Sequence, residues 1–206
     1  MIQNRYEAGL LLAKKLEKYK ATNTVVIALP RGGVVIGRVI ADKLLLPLDI
    51  VVTRKIGHPL NPEYAIGAVD DSGTVIFNEV EIVSVDKSWL EKEIQKQQNE
   101  AKRRVKIYRK GKKLKLQGKD IIIVDDGIAT GFTMQLAVKA MKKENPNKII
   151  VAVPVAPLES IGKIKKEGVD EIVLLKSPEE FLGAIGAHYQ EFEQVEDNKV
   201  IKLLNP

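Results

Sequence analysis

The run VDDGIATGFT, residues 124–133, holds the residues best spaced to do chemistry together. It follows Ile121, Ile122 and Ile123, so Val124 closes what reads as a buried strand. Two adjacent carboxylates, Asp125 and Asp126, stand at its exit. A loop of small and hydroxyl-bearing residues then leads into a helical pattern. The backbone N–H groups of that loop, the hydroxyls of Thr130 and Thr133, and the positive end of the following helix can all address one anion. Gly131 lets the backbone approach it closely. The spacing predicts a phosphate cradle flanked by two carboxylates, which suit sugar hydroxyls or Mg²⁺. An acidic strand end followed by a plain helix cap would use similar letters, so the neighbouring segments must decide.

Two of them point the same way. Pro30-Arg31-Gly32-Gly33 interrupts the apolar run 24–29, offering a guanidinium and exposed backbone N–H groups to an anion. Thr53-Arg54-Lys55 falls at the end of the run 48–53. Taken singly, these are an ordinary strand-to-helix turn and a solvated basic strand end. All three segments, however, sit at predicted carboxyl ends of strands, where open parallel sheets bind ligands. Other nucleotide signatures fail: there is no G-x-x-x-x-G-K-[ST], and the glycines at 32, 33 and 37 do not make G-x-G-x-x-G.

The elements that must position these residues follow from hydrophobic periodicity. Residues 5–19 read as an amphipathic helix, 24–29 as a strand buried on both faces, 34–45 as a helix and 48–53 as a second strand. Strand, helix, strand in that order is a right-handed parallel unit. Residues 56–85 break the rhythm with Pro59, Pro62, Gly67 and Gly73, and 65–69 with 74–77 predict a short hairpin. A charged helix over 88–110 follows, with a Ser88–Glu91 capping box and a thin stripe of Leu90, Ile94, Ala101, Val105 and Tyr108. The rhythm then resumes: strand 120–124, helix 131–143, strand 148–153, helix 158–166, strand 171–175. The predicted fold class is α/β, an open, mainly parallel twisted sheet with helices on both faces. It forms one domain over 1–206, with a flap and helix inserted at about 57–118 and a small hood from about 177–206.

Composition narrows the setting. The chain has 206 residues, no Cys and a net charge of +6. The absence of Cys excludes disulfides and thiolate metal sites and fits a cytoplasmic location. The short apolar run 9–13 is too brief for a membrane span. Nine Lys and Arg side chains between 102 and 115, with no acid among them, exceed the whole net charge, so the rest of the chain is slightly acidic. That run reads as a solvated helix face, as a surface for a polyanion, or as a contact to nucleic acid. Tyr108 alone interrupts it with an aromatic ring, which argues against stacking on single strands.

Four apolar residues, two acids, three further residues, then Thr130, Gly131, Phe132 and Thr133 resemble the signature with which type I phosphoribosyltransferases bind 5-phosphoribosyl 1-diphosphate (PRPP). With PRGG after the first strand, RKIG after the second and EYAIGAV beyond, the chain most resembles members whose acceptor is unassigned. The resemblance implies transfer of the phosphoribosyl group to a nitrogen acceptor, a nucleobase by expectation, with release of diphosphate and Mg²⁺ as cofactor. It implies that Arg31, Arg54 and Lys55 face the diphosphate together with Gly32 and Gly33. Asp125 and Asp126 would hold the ribose hydroxyls and Mg²⁺, directly or through water. Gly127, Ile128, Ala129, Thr130, Gly131, Phe132 and Thr133 would bind the 5-phosphate. Residues 57–85 would be a flap closing over PRPP, and a homodimer is the family-level expectation. Relatives acting on 6-oxopurines carry an acid where this chain has Ala129, which weakens a hypoxanthine or guanine acceptor, and Phe132 replaces a residue that is usually smaller. Of the hood aromatics Tyr64, Phe181, His188, Tyr189 and Phe192, Tyr189 is the candidate for the acceptor. His58 and His188 read as structural or surface residues. The alternative is a PRPP-sensing regulator that binds nucleic acid through 102–115.

Overall fold

The computed structural model describes residues 1–205. In chain order its elements are α1 (Arg5–Lys15), β1 (Thr24–Ala28), α2 (Gly32–Leu44), β2 (Leu48–Ile50), β3 (Thr53–His58), β4 (Asn61–Asp70), β5 (Val75–Phe77) and α3 (Lys87–Arg109). Then come β6 (Asp120–Val124), α4 (Phe132–Lys142), β7 (Lys148–Val153), α5 (Leu158–Lys166), β8 (Glu171–Leu174) and α6 (Asp197–Leu204).

The predicted parallel sheet is present, five strands in the order β2-β1-β6-β7-β8, with every pair parallel. Its strands are short β-branched runs, and their alternation divides the core. Val26, Ile122, Val124, Ile150 and Ala152 face one layer with α1 and α2. Val25, Ile27, Ile121, Ile123, Val151 and Val153 face the other with α4 and α5. The chain leaves β1 toward the first layer and β6 toward the second. β1 and β6 are neighbours, so their outgoing loops diverge and leave a crevice at the switch point of the sheet.

Three expectations change. The run 48–53 is not one strand: Val51 and Val52 leave the main sheet after Ile50, and Thr53 begins β3 of a separate antiparallel sheet, β3-β4-β5. Arg54 and Lys55 therefore lie within β3 and not at the carboxyl end of a main-sheet strand. The predicted hairpin forms as β4 and β5, but β4 also pairs with β3, so Ala65–Asp70 is buried between layers. Ile56, Ile66 and Val69 pack toward Trp89, Leu90 and Ile94 of α3. Ala65 and Ala68 pack toward Phe132 and Leu136 of α4. This burial narrows the flap expectation to the exposed tip, residues 59–64. Finally, α3 is capped by Asp86, whose carboxylate accepts the Trp89 N–H at 2.8 Å, and not by a Ser88–Glu91 box.

The tail does not fold over the strands alone. Residues 188–191 bond to the N-terminus, with Gln190 N–H donating to Ile2 O and Glu191 N–H to Gln3 O, both at 2.9 Å. α6 then packs on α2 and α3 through Val200, beside Tyr108 and Ala101. No helix among the described residues is long and apolar enough to cross a membrane.

Candidate functional site

The crevice between β1 and β6 brings the two leading segments into direct contact. A methyl group at Gly33 would lie 2.7 Å from Val124 O and 2.9 Å from Asp125 Cα, and one at Gly32 would overlap the Asp126 carboxylate. Gly33 is thus required by the close approach of the two backbones, and a side chain at Gly32 would push the Asp126 carboxylate off Arg5. The Pro30–Arg31 peptide is cis.

Asp125 and Asp126 have different surroundings. Asp125 Oδ1 accepts the Asp126 N–H at 2.8 Å, and burial pushes its carboxyl well above the ordinary carboxylate range, with the neighbouring Asp126 charge adding to the effect. Asp126 pairs with Arg5, Nε to Oδ2 at 2.7 Å. Arg5 also donates from Nη1 to Glu193 O at 2.8 Å, and its guanidinium lies 3.9 Å above the Phe192 ring. Arg5 is not among the candidates the sequence offers. It sits at the start of an amphipathic helix, and only the return of residues 188–193 to the N-terminus places it here.

The cradle has the form expected of a helix N-terminus. Gly131 caps α4 at φ +86°, a left-handed conformation that a side chain would strain. The first intrahelical bond there runs from Gln135 N–H to Gly131 O, so the amides before Gln135 have no preceding turn to serve. Gly127 is buried and Thr130 and Thr133 are half-buried. Ser160 anchors the loop by donating from Oγ to Ala129 O at 2.5 Å, and Thr53 does so from Oγ1 to Thr133 O at 3.2 Å. Not every predicted member faces outward. Ile128 is buried, with its N–H donating to Val155 O at 2.9 Å, and the Phe132 ring is buried against β4.

The basic candidates are Arg31, next to Gly32, and Arg54 and Lys55 of β3, whose own cleft is lined by none of the crevice residues. Arg31 lies 3.7 Å from Asp197 Oδ1 and 3.8 Å from Glu196 Oε2. Arg54 donates from Nε to Gln97 Oε1 at 3.0 Å. Burial lowers the Arg54 pKa, and the charges of Arg104 and Arg31 lower it further. Lys55 reaches across the hairpin to Glu63 at 2.8 Å. Arg54 and Lys55 both line a cleft of about 380 Å³ between the hairpin tip and α3, shared with Trp89, Lys96 and Gln97.

The remaining candidates are structural in placement. Tyr189 is buried, tilted against Phe192 at 4.9 Å, and donates its hydroxyl to Asp126 O at 2.8 Å. Burial and the Asp126 charge push its phenol pKa up, so it stays a donor. His188 is buried, stacks on Phe181 and accepts the Leu182 N–H at Nε2. His58 Nδ1 accepts the Leu60 N–H in the hairpin tip.

No cluster of three or more His, Cys, Asp or Glu side chains able to hold a metal occurs among the described residues. Asp125 and Asp126 fit Mg²⁺ nonetheless, because that ion commonly takes one or two carboxylates and completes its shell with water and substrate phosphate oxygens.

The model of the phosphoribosyl transferase domain matches residues 6–190. Two Mycobacterium tuberculosis proteins, "Putative phosphoribosyl transferase MT0597" of strain CDC 1551 and "Putative phosphoribosyl transferase Rv0571c" of strain H37Rv, are each 35% identical over 208 residues. The alignment covers all of this chain and 46% of each relative, so the chain spans about half the length of these curated relatives. Among solved structures, TT1426 from Thermus thermophilus superimposes with a TM-score of 0.78 at 38% identity, covering 98% of this chain and 97% of that one. Because the family match runs through every strand and loop that builds the crevice, the chain belongs to the phosphoribosyl transferase domain family.

Proposed function

We propose that this chain transfers a phosphoribosyl group from PRPP to a nitrogen acceptor, releasing diphosphate. The observation that carries the reading is the packing of Gly32 and Gly33 directly on Asp126 and Asp125, beside the open N-terminus of α4. That contact supports the reading, because the Arg31–Gly33 loop, two carboxylates and a helix N-terminus lie together, as a ligand carrying diphosphate, ribose hydroxyls and a 5-phosphate would require.

Residues 127–133 bind the 5-phosphate through amides of the loop and the first turn of α4 and through the hydroxyls of Thr130 and Thr133. Asp125 and Asp126 accept from the ribose hydroxyls. Arg31, Arg54 and Lys55, with the amides of Gly32 and Gly33, bind the diphosphate. The acceptor's nitrogen lone pair forms the bond to C1 as the C1–O bond breaks. That bond's electron pair leaves on the diphosphate oxygen, and the acceptor's proton passes to solvent. Arginine charge aimed at the departing oxygens stabilises the negative charge that grows there. Asp125 and Asp126 would hold Mg²⁺, which would supply further neutralisation of the substrate's negative charge. The exposed tip of the β3–β4 hairpin lies beside Arg54 and Lys55, where its closure would exclude water.

Phe192, partly exposed beside Arg5, is the aromatic surface left for a planar acceptor, with the buried Tyr189 packed behind it. Ala129 leaves no acid at the position used by 6-oxopurine relatives, which favours an acceptor that needs no such partner. Of the nine basic residues in 102–115, Arg103, Arg104, Arg109 and Lys113 form ion pairs within the chain. That supports the transferase over a nucleic-acid-binding regulator.

The test is calorimetric binding of PRPP with Mg²⁺, followed by a nucleobase screen for diphosphate release. Binding that disappears in the Asp125→Asn, Asp126→Asn double variant supports the reading. Absence of PRPP binding in the unaltered protein refutes it.

A further inference from the structure

Helix α3 belongs to the insertion, yet one of its faces is buried against the ends of the main-sheet strands. Ala101, Arg104 and Tyr108 recur at the spacing that puts them on one side of a helix. Ala101 and Tyr108 pack with Ala28, Ile50 and Val52, at the carboxyl ends of β1 and β2, and with Val34 of α2. Arg104 lies between them and is only 8% exposed. Arg104 therefore belongs to the face of α3 that packs on the ends of the strands that launch the Arg31 loop and lead into β3.

Three guanidiniums from three elements converge on one polar network. Arg54 reaches Gln97 of α3, Arg104 reaches Glu100 one turn further along that helix, and Arg31 lies 3.7 Å from Asp197, which also accepts from Tyr108 on the Arg104 face. Two acids balance the group. Glu100 accepts from Arg104 Nε and from Arg103 Nε, both at 2.7 Å. Asp197 accepts from Arg103 Nη2 at 2.8 Å and from the Tyr108 hydroxyl, and lies 3.7 Å from Arg31. Arg54 and Arg104 are both tethered through Nε, to Gln97 and Glu100, and a guanidinium carries five donors. This is the form of a positioned fork: one bond fixes the plane and the others address a ligand. An arginine serving only to hold α3 would have no need to lie on the helix's buried face among other cations.

We propose that Arg104 is a phosphate ligand contributed by the inserted helix, completing with Arg31 and Arg54 a three-guanidinium receptor for the diphosphate end of PRPP. The inference rests on the phosphoribosyl-transfer reading and adds to it a residue outside the crevice loops. It also gives α3 a role: the insertion brings the third charge to a ligand that carries several negative charges.

The experiment measures binding of inorganic diphosphate and of ribose 5-phosphate, separately, to the full chain and to Arg104→Gln. Diphosphate affinity should fall by about tenfold to a hundredfold, the loss expected for charge-assisted hydrogen bonds. Ribose 5-phosphate, held at residues 125–133, should bind as before. An equal loss for both ligands marks a structural effect and overturns the proposal, as does unchanged diphosphate affinity in a folded variant. Should Arg104→Gln fail to fold, Arg104→Lys keeps the charge and stem but lacks the fork. It should weaken diphosphate severalfold and leave ribose 5-phosphate unchanged, and equal diphosphate affinity there overturns the proposal as well. If the unaltered chain binds ribose 5-phosphate and PRPP but R104Q leaves diphosphate unaffected, only Arg104 is excluded. If the unaltered chain binds none of the three ligands, the transferase reading falls first.

Discussion

Replacing Gly33 with Ala tests the contact on which the crevice depends. The added Cβ would meet Val124 O at 2.7 Å and Asp125 Cα at 2.9 Å, against about 3.5–4.0 Å for a comfortable carbon contact. Neither atom can swing aside. Both belong to the backbone at the end of β6, which is paired to β1 and β7, and Val124 O also accepts the Leu29 N–H at 2.9 Å. Overpacking of this kind costs about 1–3 kcal/mol. The helical position returns up to about 1 kcal/mol, because Ala is the better helix former. With that gain counted in full the net loss is up to about 2 kcal/mol, or up to roughly 8 °C in Tm for a chain of this size. Gly162 is the internal control. It lies within α5 with nothing within 4 Å of the added Cβ, so Gly162→Ala should gain about 0.5–1 kcal/mol, or roughly 1–4 °C. Thermal and urea unfolding of both variants reads the difference, and PRPP titration reads the widened crevice, with Gly33→Ala weaker and Gly162→Ala unchanged. A Gly33→Ala protein as stable as Gly162→Ala would refute the account of the loop contact.

Two further changes probe the charges around it. Asp125→Asn should raise Tm at neutral pH while abolishing PRPP binding, since it removes a buried charge and keeps an oxygen able to accept the Asp126 N–H. The sign follows from linkage: the folded state holds the Asp125 proton more tightly than the unfolded chain, whose carboxyl titrates near about 3.9. The stability this confers is therefore complete below that value and lost as pH rises through the raised folded pKa. Unfolding of D125N across acid to neutral pH should lack that decline, and a parallel profile in the two proteins would exclude the buried-charge explanation. Asp197→Ala removes the acceptor of the buried Tyr108 hydroxyl and a partner of Arg103, and should cost about 1–3 kcal/mol in urea unfolding. An unchanged midpoint would show that α6 is held by its apolar contacts alone.

The five parallel strands, the helices between them and the identity of the crevice loops are legible in the order of residues alone. Runs such as Ile121–Ile123 fit a strand covered on both faces, and a run of small residues after two carboxylates fits an open helix N-terminus. Both properties are local, fixed by side-chain size and periodicity over a few residues. Which residues meet is settled only once the chain is packed. The break at Val51 and Val52 is invisible in an unbroken β-branched run, because what ends β2 is the pull of a second sheet sandwiched between α3 and α4. Arg5 reaches Asp126 because residues 188–191 return to the N-terminus, a contact separated by most of the chain. Arg104 looks in sequence like one of nine similar cations, and becomes distinct only because Ala101 and Tyr108 bury its side of the helix. Gly32 and Gly33 read as a turn; what crowds them is the Asp126 carboxylate and the backbone at Val124 and Asp125, nearly a hundred residues away. Periodicity reports the face a residue presents, whereas long-range packing selects the partner it finds there.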